Sequence, residues 1–224
     1  MSIQKIHLRK LLNLFYLSER ELISALRGDI RHDIYQDSHP SQQKSGGDFH
    51  SPFWSDVKSY LHGEIDLKKQ TQKRISLNPR RRRLYPLLQN GFLNWWNEKR
   101  RWSNQEYKFL QESSKGQMVF QNHELTVKVE NLLSLDIGEN TKRLIYPYLS
   151  ESPRLSNEAA RIGLWVMSRA LKGTNPEEMR ILDVLRGEAF SLSGYPLQGN
   201  EENLFLQNYE YILGLRQKLL KDYR

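Results

Sequence analysis

The sequence predicts an α+β protein, mainly α, with helical N- and C-terminal parts and a small central antiparallel sheet. Three observations carry this. Apolar residues recur at three- and four-residue spacing from Leu8 to Trp96 and again beyond Ser156. Only between Gln117 and Tyr148 does the period move toward two. Residues that cap and stop helices stand at the ends of the periodic stretches.

The first helix is expected over 3–16, with Leu8, Leu11, Leu12 and Phe15 on one face. Ser18 and Glu21 have capping-box spacing, with Leu17 and Leu22 at staple positions. They open a second helix that runs to Arg27, where Gly28 is the expected stop. Two helices joined this tightly read either as a DNA-reading helix-turn-helix or as a packed hairpin. The mixed charge of Glu19, Arg20, Glu21 and Arg27 favours the hairpin.

From Gln36 to Pro52 the chain is polar and aperiodic and reads as a loop. Phe53, Trp54, Val57, Tyr60 and Leu61 restore helical spacing up to Gly63, and another helix is expected over 65–77. Asn78 and Pro79 then supply an N-cap and a first-turn proline. Pro86 predicts a kink or break at Tyr85, followed by a helix to Arg101. Leu84, Leu88, Phe92, Trp95 and Trp96 make its apolar stripe.

Leu125, Val127 and Val129 alternate with polar neighbours and read as a half-buried strand, with Met118–Phe120 and Leu144–Tyr148 as partners. Ser156 caps a helix ending at Gly173. A further helix is expected from Asn175 to Gly187, and a last one from Asn200 to Tyr223. The chain divides into 1–52 (helical hairpin and polar loop), 53–112 (basic helical segment) and 113–224 (small sheet and C-terminal helices), or folds as one domain.

The net charge of +8 is local. Lys68 to Trp102 carries eleven basic residues against the single acid Glu98, so the segment is +10 and the remainder −2. Zero cysteines excludes disulfides, thiolate metal sites and cysteine nucleophiles, and fits a cytoplasmic protein. No apolar run approaches the roughly 18 residues that span a bilayer. Asn13 and Ser18 break the only N-terminal apolar stretch, so neither a membrane span nor a signal peptide is expected.

Arg80, Arg81, Arg82 and Arg83 are expected in the opening turn of a helix, the end that already carries about half a positive charge. A bound anion would explain cations placed there, and the guanidinium fork matches phosphate oxygens. Lys73, Arg74, Lys99, Arg100 and Arg101 extend the patch. Tyr85, Trp95, Trp96 and Trp102 could stack bases, although one of the adjacent tryptophans is expected in the core.

Catalytic patterns fall short. Asp48 with Asp66-Leu67-Lys68 resembles the bare outline of a PD-(D/E)xK nuclease, in which the acids hold magnesium and the lysine helps to activate water. Here the second acid opens a helix instead of ending a strand, and the proline before the first acid is missing. His32, Asp33, His39, Asp48 and His50 are metal-ligand types without a standard spacing, and read as turn residues. No Walker-A loop, GxGxxG, GxSxG or HExxH occurs. The expectation is a non-enzymatic, cofactor-free accessory subunit that binds DNA or RNA within a larger assembly, such as a DNA-processing or phage-defence complex. A scaffold docking an acidic protein surface is the alternative, and a divergent metal-dependent nuclease the second.

Overall fold

The computed structural model describes residues 4–39, 48–99, 107–110, 113–138 and 141–223. It corrects the expected fold class. The β structure is two sheets of three and five strands, so the protein is a mixed α+β fold in which the larger sheet organises the core.

Strand β1 (Lys5–His7) leads directly into α1 (Leu8–Phe15), where one longer helix was expected. Ile6 is buried in parallel register with Val127 of β4 (Leu125–Val129), and this pairing overrides the local helical period. β3 (Gly116–Phe120) pairs antiparallel with the other edge of β4, as expected. These three strands form the small sheet.

The larger sheet has the order β2 (Tyr107–Phe109), β5 (Leu133–Ile137), β6 (Thr141–Tyr148), β7 (Met179–Asp183) and β8 (Glu188–Phe190). β6 therefore pairs with β5 and β7, not with β4 as its alternation suggested. The expected helix from Asn175 to Gly187 is instead a single 3-10 turn followed by β7 and β8. Asn175 does cap that turn through its side chain. Gly187, expected to end a helix, makes the positive-φ turn between the two strands.

Alternate residues of the larger sheet enter separate cores. Leu144, Tyr146, Tyr148, Met179 and Ile181 face a cluster built with β4 and with α1, α2 (Glu19–Ser38), α6 (Asn157–Ala170) and α7 (Glu201–Leu220). Leu133, Leu135, Ile137, Ile145, Leu182 and Val184 face the opposite way. They pack against α3 (Ser51–Leu61), α4 (Leu67–Leu77) and α5 (Leu84–Asn94). A sheet covered on both faces needs nearly continuous apolar strands, which explains why Met179–Val184 has no clean alternation.

The Ser18–Glu21 capping box forms, with reciprocal side-chain and backbone hydrogen bonds. Gly28 does not stop α2, which continues to Ser38 with Leu22, Leu26 and Ile30 buried at four-residue steps. Arg216 reaches Asp33 at 3.0 Å and Arg27 reaches Asp222 at 3.3 Å, so α2 and α7 run antiparallel. The middle and the second half of α2 are thus held against α7 and the turn after it.

α5 meets the turn between β7 and β8 backbone to backbone. A Cβ at Gly91 would strike the Val184 and Leu185 carbonyl oxygens, and one at Gly187 would crowd the Gly91 carbonyl. Among the described residues no helix is long and apolar enough to cross a membrane.

Candidate nucleic-acid interface

α4 starts at Asp66, whose carboxylate accepts from the Lys69 backbone N–H at 2.8 Å. The helix has no acidic residue along its eleven positions. Leu67 and Thr71 are buried, Arg74 and Ile75 lie partly beneath the surface, and Lys68, Lys69, Gln72, Lys73 and Ser76 face solvent. Lys69 and Lys73 stand one turn apart, where like charges oppose helix formation by a few tenths of a kcal/mol.

Beyond α4, Asn78 accepts from the Arg80 backbone N–H at 3.1 Å, and Pro79–Arg82 form one 3-10 turn. Arg80, Arg81 and Arg82 therefore occupy their own turn instead of the first turn of α5. The expected break falls at Arg83, not at Tyr85, because Pro86 sits within the first turn of α5, where its missing N–H costs nothing.

The basic residues separate into inward and outward groups. Arg74 grips the buried Asp56 of α3 with two hydrogen bonds of 2.8 Å, and Gln70 adds a third contact at 3.2 Å. That guanidinium locks α4 onto α3 and is not available to an outside phosphate. Arg81 also turns inward, bonding the Arg74 carbonyl at 3.4 Å and lying 5.2 Å from the Tyr85 ring centre. Arg83 pairs with Glu151 at 2.6 Å but stays largely exposed.

Lys99, on the π-helical turn Trp95–Lys99, donates to the Arg186 carbonyl at 3.2 Å, away from α4 on the β7–β8 side. Arg100 and Arg101 lie outside the described residues, as does Trp102. Lys68, Lys69, Lys73, Arg80 and Arg82 remain: exposed, and without a carboxylate partner among the described residues.

The aromatic part of the expectation fails. Tyr85, Trp95 and Trp96 are all buried, packed on Phe92 or Phe53 in the second core. Tyr85 gives its hydroxyl to the Phe49 carbonyl at 2.7 Å. None of the three has a face free for a base.

The nuclease outline is not assembled as a nuclease needs it. Asp66 caps a helix, while Asp48 pairs with Arg9 and accepts from the His50 backbone N–H at 2.9 Å. Asp66 and Lys68 line a cleft of about 510 Å³ with Tyr60, Asn90, Asn94 and Glu98, and Asp48 lines a separate one with His7 and Tyr146. Of the loop cluster, Asp33 serves Arg216, and the His39 ring stacks on Tyr35. Among the described residues no group of three or more His, Asp or Glu is placed to hold a metal.

Comparison with protein-family models, curated proteins and solved structures gives no match to this chain.

Proposed function

We propose that this chain is a nucleic-acid-binding accessory subunit, working in the cytoplasm within a larger assembly, that holds phosphates through Lys69, Lys73, Arg80 and Arg82. One observation carries the reading. A helix without acids presents a lysine stripe to solvent, and the turn after it adds two exposed arginines with no carboxylate partner among the described residues. Such a face repels itself and has no counter-charge among the described residues, so a polyanion is the partner that relieves it. Recognition rests on charge, because the aromatic residues of the segment that the structure describes are committed to the core. DNA and RNA are both compatible with this mode.

The test is binding to duplex DNA and to RNA over a series of salt concentrations. If each of the four side chains neutralises one phosphate, replacing all four by alanine lowers the log–log slope on duplex DNA by about 3.6 units. An unchanged slope removes this face from the interface. Docking of an acidic protein surface is the second reading. It is favoured by Leu77, 70 % exposed between the lysine stripe and Arg80, since apolar area adds to a protein interface but little to phosphate gripping.

A further inference from the structure

A second cationic site lies on α3, outside the basic segment. Ser51, Ser55 and Lys58 recur at helical spacing and line a pocket of about 210 Å³. Arg9, at the start of α1, and Asn131, in the connection between β4 and β5, close it from other parts of the chain. Trp54, Pro147 and Leu149 supply an apolar wall.

Lys58 is half-buried, and no carboxylate reaches it among the described residues. Burial alone pushes its ammonium below the usual lysine value. A cation removed from water is normally retained only with a counter-charge. Arg180 meets its burial by donating to the Glu177 and Met179 carbonyls, while Arg74 with Asp56 and Arg186 with Asp183 obey that rule. Lys58 does not.

Arg9 bridges this pocket and its neighbour. It pairs with Asp48, and its backbone N–H donates to the Tyr146 hydroxyl at 2.8 Å. Asp48 neutralises Arg9, which leaves Lys58 as the unbalanced charge among this pocket's own lining residues. His50 adds none at neutral pH, since burial first and Arg9 second hold it down at about 4. The nearby Glu130 is turned toward His7, at 3.8 Å.

We infer that this pocket binds a phosphoryl group. An ammonium, a guanidinium and the Ser55 hydroxyl, contributed by two segments of chain, line one small volume together with Ser51, whose hydroxyl is held by Asp48. A tetrahedral oxyanion can use Lys58, Ser55 and the Arg9 N–H groups that Asp48 does not hold. The volume admits a single phosphate group and excludes a duplex, so the source is a free or small-molecule phosphate, or the terminal phosphate of a strand.

The experiment is calorimetric and thermal-shift titration with inorganic phosphate, against chloride at matched ionic strength. Phosphate is expected to raise Tm in a saturable way while chloride does not. Lys58→Met keeps the length and apolar stem of the side chain but removes its charge. It should raise Tm of the unliganded protein and weaken phosphate at least about tenfold. Ser55→Ala should weaken it less and leave the unliganded Tm unchanged.

Competition by 5′-phosphorylated but not 5′-hydroxyl oligonucleotide identifies a strand end as the source. Competition by neither leaves a small phosphate as the source, and equal competition by both overturns the inference. No phosphate effect beyond that of chloride, or full phosphate binding by Lys58→Met, overturns the inference. The salt slope assigned to Lys69, Lys73, Arg80 and Arg82 is read separately and stands or falls without this pocket.

Discussion

The exposed face of α4 and the interior edge of α3 use positive charge in opposite ways. On α4 and the turn after it, five cations stand in water without carboxylate partners among the described residues, and their high dielectric surroundings make the mutual repulsion mild. Arg74, by contrast, holds one carboxylate with two 2.8 Å bonds, and the half-buried Lys58 lines a pocket with Arg9. The number of charges is greater outside, but the energy at stake per charge is greater inside. Density of basic residues in the sequence therefore marks where an exposed face can bind, while burial raises the stake of each cation: with a counter-charge, as at Arg74, it holds the fold, and without one, as at Lys58, it opposes it.

The largest effect that would break this comparison is at Asp56. Asp56→Ala strips the counter-charge from Arg74 between α3 and α4, and should cost about 3 kcal/mol in urea unfolding, as for a broken buried pair. A loss below 1 kcal/mol would mean that Arg74 is as free as its exposed neighbours and belongs back in the binding face.

Acid comes next. The folded pKa of His50 is about 4, below its unfolded 6.5, so the unfolded chain takes up the proton first. Stability is complete above pH 6.5 and falls as pH drops toward 4, by up to about 3 kcal/mol. Asp48 extends the loss to lower pH. Burial alone would raise it, but Arg9 and the His50 N–H outweigh that and hold its carboxyl below the ordinary value. Denaturant midpoints measured across this range should flatten in His50→Gln. A slope that survives the substitution locates the titrating group elsewhere.

Lys58→Met should stabilise the unliganded protein by about 1 kcal/mol, by removing a charge that burial disfavours. Arg80→Ala and Arg82→Ala sit at the small end: each should change stability by less than about 0.5 kcal/mol while taking about 0.9 from the salt slope on DNA. Stability lost at either arginine, measured by the same urea titration, would give the outer group the structural role now assigned only to Arg74.

Part of the missed β structure was legible. Leu133, Leu135 and Ile137 alternate and run into Gly138, a hairpin signal that could have located β5. β7 could not be found this way, since both of its faces are covered and alternation disappears. The site divides similarly. Exposure of Lys69 and Lys73 follows from helical spacing around the buried Leu67 and Thr71, whereas the inward turn of Arg81 and the burial of both Trp95 and Trp96 do not.

By itself the sequence determined the features whose hydrogen bonds close within about one turn of chain: the Ser18–Glu21 box, the Asn78 cap before Pro79, the Ser156 cap of α6. Propensity and side-chain geometry suffice there, because donor and acceptor are covalent neighbours. Only the tertiary structure decided that β6 joins β7, that Arg74 belongs to Asp56, and that Lys58 faces a pocket with Arg9. Those pairings unite residues far apart in the chain, and what selects them is burial of apolar surface and of charge, which no local window contains.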